Sequence, residues 1–582
     1  MSDKKQSDVK QPGWLCKVWL WVKRWWLPIA ILLITSTGLA CALSIPQQVF
    51  ETPREPANDK SAPVLLAQSN LRLAFLYITG GAIAVVGLIE TFRKNNNEKL
   101  KNDQDKEKND REHLRQVRAD RRERYTKAVE QLGDEKAPIR MGGVYTLVGL
   151  VDEWLEEENL PEAERLKEGQ VIINNLCAYI RSPFTFASQY DFLSQNRQKS
   201  KNKFKKFIRK NIQRNFYISK AKLQAEADIR LSIIKEIHDR LQEPEENAPG
   251  TWSDFEYDFS GSTFFYPVDL TKSYYKKTVN FGGSTYHNEA DFSESTYHNE
   301  ADFHGSTYHR GADFSESIYH RGADFHGSTY HRGVDFHGST YHRKVYFGES
   351  TYHRKVYFGE STYHRGAYFG GSTYQWADFH SSTYYRWVYF GGSTYHNEAD
   401  FHGSTYQRAY FSDSAYHRWA NFHGSTYTGW ADFSNSIYEN WTDFNESIFY
   451  QETYFGKDGY SSFSRFTNYA PHFYDKTNNR NTLFGSHNND FTVDTNEGYP
   501  IVLNSEGLPI GCNFLTSEQK EYLEGKLQEI EKINNKLREV KDPKEKEELL
   551  KKLRSLNKEL HEWREEATTV QVEDVAAEDT ES

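Results

Sequence analysis

Sulfur is scarce in this 582-residue chain, which has two Met and four Cys. Cys16, Cys41, Cys177 and Cys512 are scattered and share no CxxC or metal-ligand spacing. A disulfide framework and a zinc module are therefore excluded. Hydrophobic residues reach only 37%, against roughly 45–50% in ordinary globular chains. Nucleophile elbows, P-loops, dinucleotide fingerprints and metal-spaced His or Cys sets are all missing. No catalytic residue, cofactor or metal site is expected, and the chain reads as a non-enzyme, because a site needs convergent residues in a pocket. A basic surplus is missing too: the net charge is −10, so the whole is no simple nucleic-acid binder. Aromatics are abundant instead, at 15%, with 38 Tyr and 37 Phe.

Long uncharged runs occur only near the start. Residues 27–45 and 73–89 carry no charge, and each approaches the ~20 residues that cross a hydrocarbon core. Lys4, Lys5, Lys10, Lys17, Lys23 and Arg24 precede the first run; only Arg54 and Lys60 lie in the interval before Asn70; Arg93, Lys94, Lys99 and Lys101 follow the second. The positive-inside rule then predicts two transmembrane helices within 25–92, an external loop 46–70, and both termini in the cytoplasm. Trp14, Trp19, Trp21, Trp25 and Trp26 suit an inner interfacial belt, and Gly80-x-x-x-Ala84 a packing seam. Ala40-Cys41-Ala42 resembles a signal-peptidase site, but the charged lead-in is long and a second run follows.

Residues 93–131 are nearly all charged or amide-bearing and predict a solvated helical spacer. A small helical region is expected over 132–250, with breaks at Gly133, Pro138, Pro161 and Pro183. Within it, 197–222 holds eleven Lys or Arg and no acid. Such a patch near a tether suits anionic lipid headgroups, and a solvated helix face equally.

From Trp252 the chain is periodic. Ala301-Asp-Phe-His-Gly-Ser-Thr-Tyr-His-Arg-Gly311 is one unit and Ala312-Asp-Phe-Ser-Glu-Ser-Ile-Tyr-His-Arg-Gly322 the next. Phe recurs every 11 residues from Phe281 to Phe369, with one residue dropped before Phe379 and another before Phe411. An aromatic follows each Phe after five residues, so the period is five plus six. Gly, Ser, Thr, Tyr and Asp are poor helix formers, which excludes a helical supercoil with this period. Short strands with small and aromatic residues facing inward are expected: Ala301, Phe303, Ser306 and Tyr308 in, with Asp302, Thr307, His309 and Arg310 out. Four sides give a 22-residue coil, and 281–455 makes about eight coils.

These units resemble the pentapeptide-repeat family, whose core is Ala-(Asp/Asn)-Leu-x-x, here with Phe or Tyr at the centre. The resemblance implies an all-β solenoid, a right-handed quadrilateral β-helix, over 251–455. Arg124-Tyr-Thr-Lys-Ala-Val-Glu-Gln-Leu-Gly133 with Ile139-Arg-Met-Gly-Gly-Val-Tyr145 is similar to the helical part of membrane-anchored bacterial members. That similarity implies a two-span protein of the bacterial plasma membrane.

A solenoid cap is expected over 456–516. Residues 517–566, with Leu523, Leu527, Ile530, Ile533 and Leu537 and then Leu549, Leu553, Leu556, Leu560 and Trp563, predict an α-helical hairpin or coiled coil. Ser517 is its expected N-cap, and the acidic tail 567–582 is expected to be disordered.

Candidate interaction residues lie on the rod. His287, His309, His331 and His353 share one column at 22-residue spacing; Arg310, Arg332 and Arg354 lie beside it; Trp419, Trp430 and Trp441 recur at 11. The function expected is a membrane-tethered scaffold that presents a rigid cytoplasmic rod to a protein partner. Its further contacts are the bilayer, anionic lipid at 197–222, and a second copy through the C-terminal helices. Two alternatives stand beside it. The resemblance also implies a DNA-mimicking modulator of a type II topoisomerase, and 281–455 holds 20 acidic against 11 basic residues. The His columns suggest a pH- or metal-responsive ladder.

Overall fold

The computed structural model describes residues 14–50, 62–194, 205–242, 248–456, 463–540 and 543–569. The chain divides into two compact units, Met1–Arg122 and Glu123–Ser582.

Two helices begin in the first unit, α1 (Trp14–Val49) and α2 (Ala62–Leu132). Each contains a stretch long and apolar enough to cross a membrane, and almost none of either stretch is buried in protein. Both helices reach into the expected loop 46–70. Val64, Leu65 and Leu66 prolong the apolar run ahead of Arg72, and a single Arg does not break a helix. The close approach differs from the expected seam: a Cβ added at Gly38 would collide with Thr79, whereas Gly80 has open space. The Gln68 amide donates to the Pro46 carbonyl at 3.2 Å, which joins the two helices.

The second unit is a solenoid closed at both ends. Each coil holds four short strands, for example 301–302, 307–308, 312–313 and 318–319, and the next coil pairs with it in parallel at +22. The register becomes +21 where residues are dropped, as in Thr373↔Thr394 and Thr405↔Thr426. Stacking begins at Tyr257 and gives about nine turns. Ala301, Phe303, Ser306 and Tyr308 are buried, as the alternation predicts.

Two Phe columns fill the centre. Phe303 stacks on Phe325 at 5.0 Å and 2°, and meets Phe314 edge-on at 5.0 Å. Such offset and edge-to-face pairs suit the aromatic quadrupole. Tyr columns flank them, with Tyr308 over Tyr330 at 4.9 Å. Serine forms a third internal ladder. The Ser306 N–H donates to Ser328 Oγ at 3.2 Å, and the Ser306 hydroxyl donates to the Phe281 carbonyl at 3.2 Å. Thus the small residue before each Thr-Tyr pair satisfies backbone groups at the turn. Two residues after each Phe the backbone is left-handed: Gly305 has φ 61° and Glu316 φ 54°.

Helices α3 (Ala137–Leu155), α4 (Glu162–Arg181), α5 (Tyr190–Ser194) and α6 (Lys205–Leu241) share one hydrophobic core with the first coils. Asp152 accepts from the Trp252 indole at 2.9 Å and from Arg240 at 2.8 Å, and Arg240 lies over the Trp252 ring. Phe184 stacks on Phe265. The helical region therefore covers the first coil, a role its sequence did not announce. Of the basic stretch 197–222, residues 197–204 lie outside the described residues and the rest opens α6, where Arg214 and Lys222 are exposed.

Past Phe455 the aromatic core continues on irregular spacing. Phe473 stacks under Phe444 and Phe484 under Phe449, at 5.0 and 5.1 Å. Two helices follow, α7 (Ser517–Glu539) and α8 (Pro543–Ala567). The N-cap of α7 is Thr516 rather than Ser517. Its hydroxyl accepts from the Gln519 N–H, and the Gln519 side chain accepts from the Thr516 N–H, a reciprocal box that Ser517 has no partner to make. Leu523, Ile530 and Ile533 of α7 pack with Leu553, Leu556 and Leu560 of α8 and with Ile448 and Leu483 of the rod. The apolar seam of these helices is thus filled within the chain. The tail past 569 lies outside the described residues.

Candidate interaction edges of the rod

A period of 11 is half a coil. Successive Tyr-His-Arg units therefore fall on opposite edges of the rod, and the rod carries two chemically similar edges. One lies between the second and third strands of each coil, the other between the fourth and the first.

The first edge is open along most of its length. The rings of His287, His309, His331 and His353 stack at 4.9, 5.0 and 5.0 Å. Arg310, Arg332 and Arg354 follow them and are exposed. The column resumes at His396 and His417, 5.3 Å apart. Trp376, Trp419 and Trp441 occupy the last corner position before the third strand, and Trp419 and Trp441 are 45% and 39% exposed. Trp441 stacks on His472 of the end cap at 3.8 Å. Where the edge begins, Tyr190 of α5 lies against His287 and accepts from the Asn288 amide at 2.6 Å.

Nine of the ten candidate residues thus lie on one edge. Trp430 does not. Eleven residues from both Trp419 and Trp441, it stands half a coil away, against Tyr410 on the opposite edge. The three Trp therefore form no single strip.

The second edge is clasped by α7 and α8. Here His298, His320, His342 and His364 stack at 4.3, 4.9 and 4.9 Å, and Tyr385 continues the column. Lys546 Nζ is 3.0 Å from His320 Nδ1, and the Asn557 amide donates to the Tyr385 hydroxyl at 2.6 Å. Thr340, outward-facing by alternation, is only 8% exposed because the helices cover it.

Covering one edge separates the two columns electrostatically. Burial, with Lys546 and His298 nearby, lowers His320 to about 3. Burial, opposed by a bond to Asn534 and aided by Lys546, lowers His364 to about 4. Burial, His364 and Lys546 also lower His342. On the open edge, burial and the neighbouring imidazoles lower His287 and His331 more modestly. The corner histidine His380 behaves in the opposite way: Asp378, bonded to it, raises it.

A cavity of about 490 Å³ lies between α7 and the clasped edge, lined by Arg343, Arg365, Arg386, Arg408 and Lys546 among others. Among the described residues, no group of three or more His, Cys, Asp or Glu side chains is placed to hold a metal ion. The sequence reading missed the clasp. The signal available for the second edge was the period itself, since units 11 apart in a 22-residue coil must face opposite ways.

A family model described as pentapeptide repeats (9 copies) matches residues 298–340. No curated protein and no solved structure is significantly similar to the chain.

Proposed function

The repeat region belongs to the pentapeptide-repeat family, and from that premise we propose that this chain is a membrane-tethered, non-catalytic scaffold whose open His-Arg-Trp edge receives a protein partner. One observation carries the reading. The rod has two similar edges, and the chain covers one with its own helices while leaving the other exposed. The partner edge is flat, rigid and mixed in character, with a guanidinium ladder beside stacked imidazoles and exposed Trp. Arg and Trp are the residue types that anchor interfaces. The Arg ladder argues against duplex mimicry, which requires an unbroken anionic face.

The anchor is α1 and the apolar start of α2. The lysine and arginine distribution around them favours both termini in the cytoplasm, and the resemblance of 124–145 to membrane-anchored bacterial members favours a bacterial plasma membrane. Incorporating a photo-crosslinking residue at position 332 of the full chain in cells tests the edge. A discrete crosslinked partner is expected from 332 and not from 343, on the clasped edge. Identical adducts from both positions, or none from 332, would refute the assignment. An externally active reporter that gives signal at the C-terminus would overturn the topology.

A further inference from the structure

We propose that the cavity under α7 is a binding site for a small multivalent oxyanion, a compound carrying two or more phosphate or carboxylate groups.

The repeat itself assembles the site. Thr340, Thr362, Thr383 and Thr405 pair in register through four successive coils. The residue three positions after each is Arg: Arg343, Arg365, Arg386 and Arg408. Neighbouring coils of this column are 4.9 Å apart at His342 and His364. Arg343, Arg365 and Arg386 therefore stand in file along one wall of the cavity, and Arg408, shifted by the dropped residue into register with Trp387, extends the same wall. Arg343, Arg386 and Arg408 make no side-chain hydrogen bond or ion pair among the described residues.

The opposite wall adds charge of the same sign. Lys546 reaches in from α8 and donates to His320 instead of to a carboxylate. Even with Arg365 left aside, the described lining sets four permanent cations, Arg343, Arg386, Arg408 and Lys546, against two carboxylates, Glu524 and Glu531. Burial and the nearby Arg343 push the Lys546 ammonium down, as an uncompensated cation beside another cation requires.

The comparison edge supplies the contrast. Arg310, Arg332 and Arg354 form a similar file on the open edge and are exposed, as Arg343, Arg386 and Arg408 are, but they line no part of the cavity. In the cavity the half-buried Lys546 ammonium stands near Arg343, and an anionic ligand would offset this concentration of positive charge. Guanidinium groups suit this task, because their planar donors match phosphate and carboxylate oxygens in pairs. A volume of about 490 Å³ falls within the ~300–1,000 Å³ of small-molecule sites. Because the cations are spread over several coils, an extended ligand with separated charges fits better than a single ion.

Titration calorimetry on the full chain in detergent, with inorganic tripolyphosphate in one arm and citrate in the other, tests the proposal and distinguishes phosphate from carboxylate. Saturable binding of one equivalent is expected in at least one arm. The Arg386→Gln/Arg408→Gln pair is expected to weaken it at least tenfold, and Lys546→Gln separately to weaken it several-fold. Arg332→Gln/Arg354→Gln on the open edge is expected to leave it unchanged. Absence of saturable binding in both arms would overturn the site. So would equal losses in the two arginine pairs, which would show generic attraction to the rod.

Discussion

Lys546 Nζ stands 3.0 Å from His320 Nδ1. An ammonium has only protons to give, so Nδ1 accepts and His320 is held neutral. The contact joins α8 to a stacked imidazole column, and its survival depends on that column staying uncharged.

Acid should therefore loosen the clasp. His320 and His364 are lowered from 6.5 to about 3 and about 4, so below pH 6.5 the unfolded chain binds more protons than the folded one. Their contribution to stability is complete above about pH 6.5. It then falls as pH drops toward about 4, by up to roughly 1.4 kcal/mol per unit for each group. Lys546, Arg343 and Arg554 face this column and oppose its protonation, while Asn534 bonds to His364. His380, raised by Asp378, has the opposite sign, and its contribution is lost as pH rises. Melting temperatures from pH 8 to pH 5 should decline in the wild type and decline less in His320→Gln/His364→Gln. Parallel curves would rule out the column as the cause.

The aromatic core should be intolerant of truncation. Phe336 stacks on Phe314 and Phe358 at 5.0 and 5.1 Å and meets Phe325 and Phe347 edge-on. Phe336→Ala should cost about 3–5 kcal/mol through the cavity it leaves. Arg332→Ala, exposed on the open edge, should stay within about 0.5 kcal/mol. Chemical denaturation of both variants checks the pair.

Tyrosine hydroxyls differ among themselves. Tyr266 is buried with no hydrogen-bond partner for its hydroxyl, whereas the Tyr374 hydroxyl donates to the Phe369 carbonyl at 2.9 Å. Tyr266→Phe should be neutral or stabilising by up to about 1 kcal/mol, and Tyr374→Phe should destabilise by roughly 0.5–1.5 kcal/mol. Equal losses in thermal melts would contradict this assignment of partners.

Left-handed turn positions offer a test of backbone cost. Gly327 sits at φ 65° with nothing within 4 Å of an added Cβ, so Gly327→Ala should cost about 1–2 kcal/mol through the backbone alone. Glu349 occupies the same conformation at φ 56°. Glu349→Gly relieves that strain against a glycine entropy cost of about 0.5–1 kcal/mol, and should be neutral or slightly stabilising. Melting both variants beside the wild type decides the matter; a loss on Glu349→Gly as large as on Gly327→Ala would refute the account.

The interior of the rod was legible because one spacing encodes it. Phe and Tyr at five plus six name the inward positions, and Phe303 and Tyr308 lie where alternation puts them. The end cap was not legible as a continuation. Phe473 and Phe484 extend the aromatic columns across inserted loops, and stacking in space leaves no fixed interval in the chain. The stripe Leu523-Leu527-Ile530 showed that α7 needs an apolar neighbour, but an amphipathic stripe does not say which surface supplies it. Alternation alone therefore turns Thr340 outward without showing that helices cover it, and an 11-residue step alone sets Trp430 with Trp419 without showing that it faces the opposite edge. In each case the missing information was an arrangement between distant segments.

The two dropped residues have a consequence for recognition. One shortens the open edge at Gln375-Trp376 and the other the clasped edge at Gln407-Arg408, while the Phe columns pass both at 4.9 Å without interruption. Each is a dislocation in the surface lattice over an undisturbed core. A perfectly translational rod would present the same pattern at every coil, and any ligand fitting one position would fit the next equally well. With a defect on each edge the rod has an origin, and distance along it can be counted from a mark. A bound segment can then be held at one address instead of sliding by whole coils.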